Sequence, residues 1–388
     1  MNYILAAVGL LALASSTSAN VLSVQDIMSQ RPALDKWDGY TYDDFTRDYN
    51  KGVQSSQEYS KRKEIFEKNL EIIKAHNAKN ASWWMTVTPF ADMTEKEFAA
   101  QLGSVAPPQS VRESLKATST NIMRSMAFAQ VSQKENFPIA VNNFGYMTTV
   151  RSQGRCGSCW ANAAAGAIEA QYNIKHPGSK LSASTQQLVS CVVDPQHCGG
   201  TGGCGGSTEA KAFEYLENET NGRITTEAVY PYTSGSGSVE KCRYSSSMPT
   251  AATITNHSML PTNSQRVLLE TAAGPNVFTV SVAASSWALY GGGIFSGCTD
   301  KKDYVTNHAV VFTGYSPDYY QITNSWGPTW GDKGNMYLKR RANDGVDRET
   351  CGINNEPWSG SACDGDTTPV VVCGECGILS ESTVVNVL

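Results

Sequence analysis

Cysteine is missing from the first 155 residues of this 388-residue chain, and all eleven cysteines fall from Cys156 onward. In an oxidising compartment that distribution leaves the early segment unbridged and the late one stapled. No block of Lys and Arg is long enough to form the positive stripe that a phosphate backbone needs, and the formal charge is -5, so nucleic acid is excluded as a partner. The acidity belongs to the later part: residues 1–135 carry 15 basic and 15 acidic side chains, residues 136–388 carry 16 and 21. No hydrophobic run reaches the ~20 residues of a membrane span. The longest is the 12-residue stretch 3–14, and the small residues Ser15, Ser16, Thr17, Ser18 and Ala19 follow it. That pattern predicts a secretory signal over 1–19. There is no internal repeat. The hydrophobic fraction of 40% over this length is ample for a sizeable core, so a small disulfide knot is excluded as well.

What is present divides the chain. Residues 41–100 read as charged helix, and 104–135 as a linker of Ser, Ala, Gln and Pro without a sustained period. From 136 the texture changes: 158–173 is Ala-rich and stops at His176-Pro177-Gly178, and 208–219 stops at Asn221-Gly222, both predicting helices with breakers. Residues 276–284, 307–315, 319–326 and 335–341 are β-branched and aromatic, separated by Gly, Pro and Asp, which predicts strands. A helical half followed by a β-rich half implies an α+β fold of two lobes.

Four motifs carry chemistry. Cys159 stands at the predicted start of a helix, where unpaired N–H groups and the helix dipole favour the reactive thiolate. His308 opens a later strand and Asn324 closes the next one. A cysteine nucleophile needs an imidazole to form the ion pair and to protonate the leaving amine, and the imidazole needs an orienting partner, a role that suits Asn324. Gln153 could aim its amide at the same oxygen as the Cys159 N–H, making an oxyanion hole.

At these residues the chain resembles the papain family of cysteine proteases, in its cathepsin L-like branch. The likeness extends upstream: Glu58, Arg62, Ile65, Phe66, Asn69, Ile73 and Asn77 match the ERFNIN motif of inhibitory propeptides at every position, with spacings that place them on neighbouring faces of one helix. Phe90 and Asp92 match the end of a second propeptide motif, where Thr86 and Thr88 replace its Gly and Asn. The resemblance implies a papain-like two-lobe fold, a helical lobe and a β-barrel-like lobe with the cleft between them, preceded by a helical prodomain. The expected division is a signal at 1–19, an inhibitory propeptide at 20–135, a peptidase domain at 136–358 and a Cys-containing C-terminal extension at 359–388.

The resemblance also implies disulfides Cys156–Cys204, Cys191–Cys242 and Cys298–Cys351, with Cys159 free. Cys198, Cys363, Cys373 and Cys376 then allow three connectivities. Cys373 and Cys376 form a C-x-x-C, read as a structural bridge rather than half of a zinc site because the chain is read as secreted, and not as a redox site because no thioredoxin-like βαβ pattern surrounds it. Substrate backbone is expected at Gly206 and Ser207, where Ser207 replaces the usual glycine. The pocket for the side chain two before the scissile bond is expected to have walls of Thr208, Ala283, Thr306 and Ala309. Its floor, five residues after the last disulfide cysteine, is expected at Glu356, and Trp326 is expected to shield the His308–Asn324 bond. Asn162 stands where the family usually has Phe, and needs a partner if buried.

The function expected is a zymogen of a thiol endopeptidase working through a Cys159 thioester, monomeric, with no cofactor and no metal. Its partners would be peptide and protein substrates, its own propeptide and cystatin-like inhibitors, and its location lysosomal, vacuolar or extracellular. Asn80, Asn218 and Asn256 begin glycosylation sequons. Rival readings are a catalytically silent binding protein, which would usually have lost the Cys or the His, and a thiol oxidoreductase at the C-x-x-C.

Overall fold

The computed structural model describes residues 21–102, 138–341 and 349–388. The expected signal, the whole linker at 104–135 and the expected cleavage region lie outside the described residues. The helices are α1 (Val24–Ser29), α2 (Tyr42–Asp48), α3 (Ser56–Asn77), α4 (Glu95–Gln101), α5 (Cys159–Lys175), α6 (Thr185–Cys191), α7 (Glu209–Glu219), α8 (Gln265–Ala273) and α9 (Gly297–Lys301). The strands are β1 (Trp83–Met85), β2 (Val141–Asn142), β3 (Arg223–Thr225), β4 (Thr250–Met259), β5 (Phe278–Val282), β6 (Tyr290–Phe295), β7 (His308–Tyr315), β8 (Tyr319–Thr323), β9 (Asn335–Lys339), β10 (Cys351–Asn354), β11 (Val370–Cys373) and β12 (Glu381–Val387).

One lobe is built around α5. Its Ala-rich sequence costs little side-chain entropy, and its small side chains let the helix sink into the core, where Ala161, Ala164, Ala165, Ala167 and Ala170 are fully buried. Gly166 faces β7 so closely that a Cβ there would stand 3.2 Å from Val311 and 3.3 Å from Met147. The other lobe centres on β5, β7 and β8, with Phe278 stacked on Phe312 at 5.0 Å between ring centroids. The main sheet runs β1-β6-β9-β8-β7-β5-β12-β4-β3, with β2 on β7. Its ends do not pair among the described residues, so the β-rich lobe is an open sheet and not the barrel-like lobe expected.

The tail corrects two expectations. β12 lies between β5 and β4, pairing Thr383 with Thr279 on one side and with Met259 on the other. Residues 381–387 are therefore an interior strand rather than part of an appended extension. The disulfides differ for the same reason. Cys156–Cys204 and Cys191–Cys242 are as expected, but Cys298 bonds Cys376, not Cys351. Cys351 instead bonds Cys373, across the β10–β11 hairpin that holds them in register. Cys198 bonds Cys363, and Cys159 is free. The C-x-x-C cysteines thus enter two separate structural bridges.

The segment before the linker folds over the cleft as its own small body. Its core joins Tyr42 and Phe45 of α2 to Phe66, Leu70 and Ile73 of α3. Arg62 binds Glu58 at 2.6 Å and grips Glu97 with two nitrogens at 2.7 and 2.8 Å. Asn69 donates to the Ala91 carbonyl, and Asn77 both donates to and accepts from the Met85 main chain. The motif's polar residues therefore tie α3 to the chain that follows it. That chain docks through β1, antiparallel to β6 with Trp83 opposite Gly293 and Trp84 opposite Gly292. Glycine is required there: a Cβ on Gly292 would lie 2.3 Å from the Trp84 ring, and one on Gly293 2.5 Å from the Trp83 Cα. Thr88, buried at the motif position that differs, donates its hydroxyl to the Ala288 carbonyl at 2.7 Å.

Candidate active site

α5 begins at Cys159, and the preceding Ser158 provides no side-chain cap, which leaves the first N–H groups free. Burial, with the nearby Glu209 carboxylate adding to it, pushes the thiol up to about 12 and outweighs the main-chain N–H groups of Ala309, Trp160 and Cys159, which favour the thiolate. Cys159 and His308 line one cleft. β7 starts at His308, whose Nε2 lies 2.8 Å from Asn324 Oδ1 at the end of β8. Its Nδ1 is buried with no hydrogen-bond partner. Burial lowers this imidazole to about 4, although the Asn324 contact works in the opposite direction. Trp326 stacks on the His308 ring with centroids 4.7 Å apart and is buried, so it keeps water from the His308–Asn324 bond and does not line the cleft.

Gln153 is fully buried and fixed from both ends. Its Oε1 accepts from Ser325 Oγ at 2.7 Å, while Nε2 donates to the carbonyls of Cys156 and Gln101, each at 2.8 Å. Buried Asn162 finds its partner one turn back, donating to the Ser158 carbonyl at 2.9 Å. The propeptide covers the whole site: Leu102 lines the cleft with its carbonyl 4.0 Å from the Cys159 sulfur, and Phe90 and Phe98 meet Trp326 edge-on, each at 5.2 Å.

The pocket beside Cys159 departs from expectation. Ser207, Thr208, Thr306 and Ala309 line it; Gly206, at φ +91°, does not. Ala283 is buried with its N–H on the Cys376 carbonyl, and Ser281, on the same face of β5, takes its place. Glu356 is also absent from the lining; it sits before Pro357, with its N–H on Asn354. The count to Glu356 ran from Cys351, which the structure bonds to Cys373 and not to Cys298. Cys376 closes the last bridge to Cys298, and five residues on is Glu381. Glu381 accepts from Ser361 at 2.6 Å, behind the pocket wall. Sequence reasoning missed it, and also missed Glu209, which lines the pocket directly, and Ser359, Gly360 and Ser361, which cover it. His197, on the loop beyond α6, is exposed and pairs with Asp364.

Comparison with known proteins accords with this arrangement. The model of the papain family cysteine protease domain matches residues 135–361, and the model of the cathepsin propeptide inhibitor domain (I29) matches residues 42–98. A cysteine proteinase of Trypanosoma brucei brucei is 34% identical over 306 residues, 77% of this chain and 63% of that protein. The chain thus spans somewhat under two thirds of that relative's length. Mouse (Mus musculus) cathepsin K is 32% identical over 317 residues, 79% of this chain and 88% of its own. Among solved structures, procathepsin L2 from the larval midgut of Tenebrio molitor superposes with a TM-score of 0.65 at 26% identity, covering 89% of this chain and 98% of that one. The stem bromelain precursor gives 0.64 at 25% identity, covering 89% and 97%. With its domain model matched over more than half its length and a cathepsin-type inhibitory segment ahead of it, the chain belongs to the papain family of cysteine proteases.

Proposed function

We propose that the chain is the latent form of a thiol endopeptidase of the secretory pathway. The observation that carries the reading is the orientation of His308: Nε2 is held by Asn324, which leaves Nδ1 without a protein partner in the cleft it shares with the Cys159 sulfur. Once the cleft opens to water and substrate, the Cys159 proton passes to His308 and the thiolate attacks the peptide carbonyl carbon. Gln153 Nε2 and the Cys159 N–H receive the oxyanion. His308 then gives its proton to the leaving amine, and water hydrolyses the thioester.

Latency follows from the same geometry. With Leu102 against the sulfur, burial favours the neutral thiol and the neutral imidazole together, so the ion pair is suppressed while the propeptide is docked. The signal-like first 19 residues and five disulfides support passage through an oxidising compartment. The test is cleavage of internal bonds in a quenched peptide after acid treatment of the proform. Turnover should be abolished by a thiol-directed epoxide that alkylates Cys159, and Cys159→Ala should fold but be inert. Epoxide-resistant turnover would sink the reading.

A further inference from the structure

The outer face of the main sheet carries an apolar strip that the start of the propeptide covers. Side chains along a strand alternate between its two faces. On β6, β9 and β8, Phe295, Leu338 and Tyr320 point into the core of the β-rich lobe, so their neighbours Ile294, Tyr337 and Tyr319 point the other way. The register makes these three one row: Ile294 pairs with Tyr337 across β6 and β9, and the rings of Tyr337 and Tyr319 meet edge-on at 5.0 Å. An isoleucine and two tyrosines side by side on a sheet surface make an apolar patch, yet here they are 6%, 3% and 1% exposed.

Residues 21–31 make the cover. Val24 and Ile27, three apart, share one face of α1 and lie with Val21 and Leu22 against the strip, while Ser23, Gln25, Asp26 and Ser29 face solvent. The Tyr319 hydroxyl donates to the Leu22 carbonyl at 2.7 Å. Ser23 and Asp26 close a capping box around the first turn of α1. Six residues are nevertheless too few to hold a helix in water without packing, so the strip supplies its order. Arg31 then turns back to the rest of the propeptide: it donates to the Ala81 carbonyl, and its guanidinium stands 5.5 Å from the centre of the Trp84 ring. Ile294 is thereby gripped twice. Ile27 covers its side chain, and Ser82 accepts its N–H at 2.8 Å and donates a hydroxyl to its carbonyl at 2.7 Å.

Neither the inhibitor domain nor the cleft accounts for this cover. The inhibitor-domain match spans residues 42–98, and none of residues 21–31 lines the cleft. We propose that the strip of Ile294, Tyr337 and Tyr319 is a docking site for an amphipathic helix, separate from the active site, which residues 21–29 fill in the latent form, and that this remote anchor holds the whole propeptide down. The strip is then bared when the propeptide leaves. The proposal goes beyond the peptidase reading and needs no turnover to be tested.

The test is hydrogen exchange at pH 7 on the full-length Cys159→Ala proform. Two places remote from residues 21–31 report whether the propeptide stays docked: Thr86, whose N–H is held by the Leu289 carbonyl, and Phe98 and Leu102 at the cleft. Ile27→Asp should raise exchange at both at least about tenfold, since it removes a buried apolar side chain and sets a charge against the strip. Tyr319→Phe, which takes away the bond to Leu22 and keeps the ring, should raise it about two- to tenfold. Gln25→Asp, on the solvent side of the same turn, should change it less than about twofold and so separates lost contact from added charge. Ile27→Ala and Ile294→Ala remove one shared contact, so the double variant should exchange no more than about twice as fast as the faster single one. Faster exchange confined to residues 21–31 overturns the anchor, and so does an effect of Gln25→Asp equal to that of Ile27→Asp. Full additivity of Ile27→Ala and Ile294→Ala overturns the strip as its seat. Each of these results leaves the peptidase reading standing, because that reading falls by the epoxide test and not by exchange.

Discussion

The main-chain carbonyl of Gln101, in the propeptide, accepts a 2.8 Å hydrogen bond from Nε2 of Gln153. The donor proposed for the oxyanion is thus engaged by an oxygen of the inhibitory segment, at a carbonyl next to the residue that covers the nucleophile. Gln153→Ala should therefore act twice. An oxyanion donor lost from a buried site lowers kcat by about 10²–10³, and the propeptide loses a contact in the latent form. Active-site-titrated kinetics check the first effect, and inhibition by the separately added propeptide checks the second. A change in KM alone would remove Gln153 from the oxyanion site.

Asn324 does not line the cleft, yet it fixes which imidazole nitrogen faces it. Its Oδ1 lies 2.8 Å from His308 and also accepts the Ser325 N–H at 2.7 Å, so the amide has little freedom to turn. A hydrogen bond to a charged group is worth about 1.5–3 kcal/mol. Asn324→Ala should accordingly lower kcat by roughly tenfold to 150-fold, far less than Cys159→Ala or His308→Ala, which should abolish turnover. The apparent pKa of the acidic limb of kcat/KM should shift in Asn324→Ala; an unshifted limb would mean the amide only packs.

Acid release of the propeptide is expected in two windows, the upper one set by histidine. His76 on α3 lies against Trp83 with ring centroids 3.9 Å apart and planes tilted by 40°; burial lowers its pKa, its hydrogen bond to the Trp83 carbonyl opposes that, and Lys79, Arg31 and Lys301 add to the lowering. The docked form resists a proton that the released form accepts, so docking weakens as pH falls below 6.5. Buried His308 works in the same direction. Glu97 enters later: burial would raise it, but hydrogen bonds from Arg62 and Thr94 prevail and hold it at about 2, so its contribution is intact above 4.5 and is lost as pH falls towards 2. In a Cys159→Ala proform, Trp83 and Trp84 fluorescence should report undocking that begins below pH 6.5. His76→Phe should shift that onset downward and reduce the slope of log K against pH by up to one proton, His308 remaining. An unchanged onset would assign the trigger elsewhere.

The candidate catalytic residues were legible because each sits at an element boundary marked in the local sequence: Cys159 where the Ala-rich helix begins, His308 and Asn324 at strand ends. The propeptide helix was legible because side chains three and four apart share its faces. The last quarter was not, since strand order is set by contacts far apart in sequence. Nothing near Glu381 announces that β12 will enter between β5 and β4, and no spacing tells Cys351 from Cys376 as the partner of Cys298. One misplaced bridge set the expected pocket floor at Glu356, which does not line the pocket, and a register slip of two, which keeps a residue on the same face of a strand, exchanged Ser281 for Ala283.

The segment that covers the pocket is tied to the opposite side of the cleft by one bridge. Cys363 bonds Cys198, and around that bond the Gly199 N–H donates to the Ala362 carbonyl, the Asp364 N–H to the Gln196 carbonyl, and His197 pairs with Asp364 at 2.8 Å. The exposed His197–Asp364 contact contributes little, so the disulfide is the main covalent restraint on Ser359, Gly360 and Ser361. Replacing both cysteines, Cys198→Ser with Cys363→Ser, should destabilise the enzyme by about 2–4 kcal/mol, the usual worth of a native bridge, seen as a lower Tm. Loosening the cover should also free Ser361 from Glu381 and raise KM for substrates that fill the pocket, while kcat, set by Cys159 and His308, changes less than threefold. Peptide mapping of the oxidised wild-type enzyme provides the control: it should recover Cys198–Cys363, Cys298–Cys376 and Cys351–Cys373. Recovery of Cys298–Cys351 would overturn the placement of the last two bridges.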